Sequence, residues 1–134
     1  MSKVSDIARA IRQSLISANL GYDLALPNVQ YKPISNNPYI DVQITQNDVI
    51  AADLSHTDKS DGTFSLTANF PADSGTFDVE NLLDTIENHY KIGNSFSYDT
   101  ALFRVLSRSR NNGAAADGWY KQTITIIYNA YLRR

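Results

Sequence analysis

A chain of 134 residues suits one domain, and two would each sit near the lower size limit for a stable core. Its 43% hydrophobic content argues against wholesale disorder, and the lack of any cysteine excludes disulfides, thiolate nucleophiles, iron–sulfur clusters and cysteine-based zinc sites. A net charge of −2 and a pI near 5.5 argue against a dedicated nucleic-acid binder.

The first predicted element is a helix. Val4, Ile7, Ala8, Ile11, Leu15 and Ala18 recur at spacings of three and four and so share one face, with Arg9, Arg12 and Gln13 opposite. Ser2 or Ser5 suits its N-cap, and Asn19-Leu20-Gly21 suits its stop. Three of the four prolines follow, at 27, 33 and 38, which predicts an extended lead into the first strand because proline lacks a ladder donor. Tyr39–Gln46 then alternates, with Ile40, Val42 and Ile44 on one side. Asp58–Gly62 reads as a turn, and Thr63–Phe70 as a second alternating strand. Val79, Leu82, Leu83, Ile86 and Tyr90 mark a second helix, with Asp78 as its N-cap and Lys91 and Gly93 closing it. Ala101–Ser107 and Trp119–Leu132 complete the strands. The segment Arg110–Gly118 between them is too long for a tight hairpin and reads as a mobile arm. Alternation of this kind implies a mostly antiparallel sheet with one packed and one wet face. The prediction is an α+β domain over residues 1–134: about four main strands with two amphipathic helices packed on one face.

The charge is segregated along the chain. Residues 1–40 balance at +2, residues 41–94 at −8 and residues 95–134 at +4. Unlike blocks favour oriented self-association unless folding intermixes them.

Chemistry is sparse. His56 and His89 have no partner at metal-ligand spacing, and no nucleophile elbow or phosphate-cradling glycine loop occurs. Glu80, Asp84 and Glu87 share a helical face, which is what a solvated surface looks like. No enzyme, metal or cofactor is expected. No apolar run approaches the roughly 20 residues of a spanning helix, and no signal segment opens the chain, so a cytoplasmic origin and no membrane partner are expected. Arg104 and Arg108 sit at even spacing on one predicted strand face, with Arg110 just beyond. With tyrosines and Trp119 nearby, they fit a protein interface better than a nucleic-acid one.

The segment Ala25–Pro33, which holds Pro27, Asn28, Val29 and Pro33, is followed by Pro38-Tyr39-Ile40-Asp41-Val42. Gly62-Thr63-Phe64 and Asp117-Gly118-Trp119-Tyr120 come later in the chain. In that order these motifs resemble the tail terminator (tail-completion) proteins of long-tailed phages and prophages. The resemblance implies a structural virion protein, assembled in the host cytoplasm. It implies a homo-hexameric ring that caps the tail tube and joins the head. The implied partners are further copies of the chain, the tail tube protein and a head-completion or neck protein, with DNA at most passing through the lumen. Arg104, Arg108, Arg110, Asn111, Asn112, Gly113 and Asp117 are the expected interface residues. The alternatives are another neck or tail-tube-like structural protein, or a small ligand-binding α+β domain.

Overall fold

The computed structural model describes residues 5–25, 38–46, 50–51, 57–71, 77–99, 101–116 and 118–133. In chain order the elements are α1 (Ser5–Ala18), β1 (Asp23–Ala25), β2 (Tyr39–Gln46), β3 (Ile50–Ala51), β4 (Thr57–Pro71), α2 (Phe77–His89), β5 (Ser95–Tyr98), β6 (Ala101–Arg110), β7 (Ala114–Ala116) and β8 (Trp119–Arg133). The α+β class and the two helices are as expected, but the sheet is larger than the four strands predicted. Its main path runs β1-β2-β4-β8-β6-β5, with β3 paired to β4 and β7 to β8. The short additions were illegible because two to four residues cannot display a period.

Strands β4 and β8 form the spine. They pair without interruption from Thr57 opposite Arg133 to Pro71 opposite Trp119, a ribbon of about 50 Å at roughly 3.3 Å per residue. Strand β4 therefore absorbs Asp58–Gly62, which the sequence presents as a turn. Here tertiary pairing overrides local turn chemistry: β3 flanks Asp58 and Lys59 on one side while β8 flanks them on the other. Gly62 is buried within this ladder, and a Cβ there would lie 2.2 Å from the Thr45 carbonyl oxygen and 2.8 Å from the Tyr128 hydroxyl. The glycine marks close backbone approach inside a strand rather than a bend.

The packed face carries Ile40, Val42, Phe64, Leu66, Phe103, Val105, Ile124, Ile126 and Tyr128, all at most 1% exposed. Helix α1 buries Ile7, Ala10, Ile11, Ser14 and Leu15 against it, whereas Ala8 and Ala18 are only half-buried. The buried stripe is thus rotated from the predicted one toward Ala10 and Ser14. Asn19 and Gly21, both at positive φ, end the helix as expected. Helix α2 buries Val79, Leu82, Leu83 and Ile86, and begins at Phe77, so Asp78 falls inside its first turn rather than at the cap. The helix dipole favours an acid there too.

Aromatic rings tie the layers together. Phe64 meets Tyr90, Phe103 and Tyr128 at centroid distances of 5.2, 5.8 and 6.0 Å, and Phe96 stacks on Phe103 at 5.2 Å. The hydroxyl of Tyr90, the residue just after α2, bonds Ser14 Oγ at 2.6 Å, tying the end of that helix to α1 through a buried polar pair. Burial pushes the Tyr90 phenol above its ordinary value of 10, with the Ser14 bond offsetting part of the shift. The fold holds the neutral phenol, so its contribution is intact below that value and is lost as pH rises through the raised folded one. Stability measured by chemical denaturation should therefore decline above pH 10. The Tyr90→Phe variant should show a shallower decline and cost about 1 kcal/mol at neutral pH. Equal alkaline slopes in the two proteins would contradict this account.

Candidate assembly surfaces

Strand β6 starts with Ala101 opposite Leu132 and keeps strict alternation to Val105 opposite Tyr128. The register then shifts by one residue, so that Ser107 faces Ile127 and Arg108 faces Ile126. This bulge at Leu106 exchanges the faces of everything that follows. Arg104, before it, stands exposed on the wet face opposite Asn129 and reaches Ser95 Oγ from Nε at 3.4 Å. Arg108 and Arg110, after it, turn to the helix side. Even spacing on a regular strand would place Arg104 and Arg108 on one face; the single inserted residue puts them on opposite faces.

Both displaced arginines engage α2. Arg108 Nη1 donates to the carbonyls of Glu87 at 2.6 Å and Tyr90 at 3.1 Å, closing the C-terminal end of the helix where its dipole is negative. Arg110 Nη2 bonds Asp84 Oδ1 at 2.5 Å, and its Nε bonds the Glu87 carboxylate. These bonds, Glu87 first and Asp84 second, push the Arg110 guanidinium above its already high ordinary value. Part of the acidic middle block is thereby neutralised by part of the basic C-terminal block within one subunit.

Beyond Arg110 the chain does not become a loose arm. Asn111 N donates to Thr123 O at 3.0 Å, and Asn111 Oδ1 accepts from Thr123 N at 2.8 Å. Gln122 Nε2 donates to Asn111 O at 3.0 Å. Strand β7 then pairs with β8 from Ala114 opposite Lys121 to Ala116 opposite Trp119, leaving only residues 117 and 118 to connect them. Asp117-Gly118 is a strong two-residue hairpin signal in the sequence, and it outweighs the length of the segment as a whole. Gly118 has the positive φ such a turn requires. A Cβ on Gly113 would overlap the Tyr120 ring, so this glycine admits the aromatic cross-strand. Asn112 is exposed.

The family-motif positions divide into two groups. Pro27, Asn28, Val29 and Pro33, together with His56 and Asp117, lie outside the described residues. Pro38 precedes β2, and Tyr39 meets Trp119 edge to face at 5.3 Å. Burial, reinforced by the Asp41 charge, pushes the Tyr39 phenol up. Tyr120 packs against the core from the hairpin. His89 stacks near Tyr90 and Phe96 and has Nε2 2.8 Å from Ser14 O, so its ring serves the helix contact. Among the described residues no group of three or more His, Cys, Asp or Glu is placed to hold a metal ion. No described helix is long and apolar enough to cross a membrane.

One cavity escaped sequence reasoning altogether. Arg9, Arg12, Gln13 and Ile16 of α1 line a space of about 320 Å³ with Leu24 of β1 and Tyr98 of β5. Strands β1 and β5 are the two opposite edges of the sheet, so the sheet curls until both margins flank α1.

A curled sheet with one bare face, a helix-pinned hairpin and an edge groove define an α+β module built around surfaces rather than an enclosed pocket. The family model described as phage tail terminator protein matches residues 6–128, and the chain belongs to that family. It is a structural component of the phage tail, and so of the virion. One solved structure at 16% identity superposes with a TM-score of 0.76, covering 98% of this chain and 96% of that one. Another, from the virion of a native gene transfer agent particle, is 14% identical with a TM-score of 0.60, covering 97% and 96%. Identities this low establish a shared fold alone. No curated protein sequence matches the chain.

Proposed function

We propose that this chain acts as a single domain over residues 1–134, capping the tail tube as a ring of six copies and providing the surface to which the head joins. The observation that carries the reading is the family match over residues 6–128, which takes in both helices and nearly the whole sheet. Its partners are further copies of itself, the tail tube protein and a head-completion or neck protein. DNA passes through the lumen without being read, and the work is assembly without catalysis or a cofactor. The protein enters the virion from the host cytoplasm.

In this reading the β7–β8 hairpin, with Asn111, Asn112, Gly113 and Asp117, makes the axial contact to an adjacent ring. The Asn111 bonds and the Arg108 and Arg110 contacts hold it in a fixed direction. Order before docking lowers the entropic cost of binding. Arg104 lies on the bare sheet face, available to a neighbouring subunit. Solution mass at several concentrations, followed by electron microscopy on isolated tails, tests the proposal. Sixfold rings at the head-proximal tip are expected. Heads and tails that join normally in a phage lacking this chain would overturn it.

A further inference from the structure

A closed ring of identical subunits needs two different patches on each copy, one receiving the other. The described surface offers such a pair on separate elements. The first is the groove on α1. Ile16, 64% exposed, lines it together with Leu24 and Tyr98. Arg9 and Arg12 line it as well. Arg9 is tethered by Asp6, which bonds its Nη1 at 3.1 Å, while Arg12 forms no ion pair among the described residues.

The second patch is the first turn of α2. Phe77 is 73% exposed there, more than any other large hydrophobic side chain among the described residues. Asp78 and Glu80 flank it, and neither forms an ion pair among the described residues. The other acids of this helix, Asp84 and Glu87, are already held by Arg110. What α2 presents outward is therefore one aromatic knob between two unneutralised carboxylates. What the groove presents is an apolar group, Ile16, Leu24 and Tyr98, with two arginines further back along α1. The groove's roughly 320 Å³ is about twice the space that accommodates a benzene ring.

We infer that Phe77 of one subunit seats in the Ile16–Leu24–Tyr98 groove of the next, with Asp78 and Glu80 facing Arg9 and Arg12, and that this contact closes the ring. The inference rests on the ring reading above and names the surfaces that reading leaves open. An aromatic anchor in a pocket supplies the affinity, and the charges around it set the orientation. The contact is heterologous by construction, because the two patches share no residue. It draws on charges other than those of Arg108 and Arg110, which are engaged with α2 of their own subunit.

The natural chain has no cysteine, which makes disulfide trapping unambiguous. Gln13→Cys in the groove and Asn81→Cys beside the knob, combined in one chain, should oxidise to a ladder of covalent oligomers. Each single variant should stop at dimers. Adding Phe77→Ser to the pair should abolish the ladder. In uncrosslinked protein, Arg12→Glu or Glu80→Arg alone should weaken association by about tenfold, and the combined swap should restore it to within about threefold. Native mass spectrometry of the natural chain separates the two claims. Oligomers without a ladder from the double-cysteine chain would overturn this contact and leave the ring standing. Finding neither a ladder nor sixfold rings on isolated tails would overturn both.

Discussion

Replacing Gly62 by alanine is expected to destabilise the fold by about 3 kcal/mol, the upper end of ordinary overpacking. The added methyl would lie 2.2 Å from the Thr45 carbonyl oxygen, a main-chain atom of the neighbouring strand that cannot rotate away. On the other side it would meet the Tyr128 hydroxyl at 2.8 Å, and that ring is itself buried against Phe64 and Phe103. Relief requires β2 and β4 to separate where they pair, at Thr45–Thr63 and Gln46–Gly62. For a domain of this size the melting temperature should fall by about 10 °C. Gly21→Ala is the control. Its φ of +82° penalises a side chain, but nothing lies within 4 Å, so about 1 kcal/mol is expected. A Gly62→Ala loss no larger than that of Gly21→Ala would mean the strands can yield. The close approach would then not be what fixes glycine at this position.

Gly62 also shows where sequence reading ends. Asp58–Gly62 has the composition of a turn, and nothing local distinguishes a glycine that bends the chain from one that lets another strand come close. The long alternating stretches were legible because burial on one face imposes period two over many residues, as in Tyr39–Gln46, which β2 matches to the residue. Helix α1 was legible in extent but not in rotation. Its buried stripe includes Ser14, a polar residue whose hydroxyl is satisfied inside by the Ile11 carbonyl one turn back and by the Tyr90 hydroxyl 76 positions away. The candidate surfaces were least legible. The groove joins α1 to both edges of the sheet, and no spacing in a sequence reports that two margins curl toward each other. The bulge at Leu106 left one trace. Arg108 and Arg110 need acids, and Asp84 and Glu87 of the second helix are the matching charges.

That trace leads to the second large effect. Arg108→Ala should destabilise the protein by about 2–3 kcal/mol, because it removes two charge-assisted bonds and leaves the Glu87 and Tyr90 carbonyls uncapped. The site is partly shielded, with the Arg108 side chain 28% exposed, so water replaces those bonds incompletely. Arg104→Ala should cost no more than about 0.5 kcal/mol, since Arg104 is exposed and, among the described residues, holds only a long bond to Ser95. Urea denaturation of both variants reads the difference. Amide exchange should accelerate in the last turn of α2 for Arg108→Ala and be unchanged for Arg104→Ala. The two arginines are four residues apart on one strand, and an unbulged strand would place them in like surroundings with like costs. Equal destabilisation would therefore refute the register shift at Leu106. Unequal destabilisation ties the hairpin's direction to α2: the same inserted residue that turns Arg108 and Arg110 inward leaves Arg104 on the face a neighbouring subunit can reach.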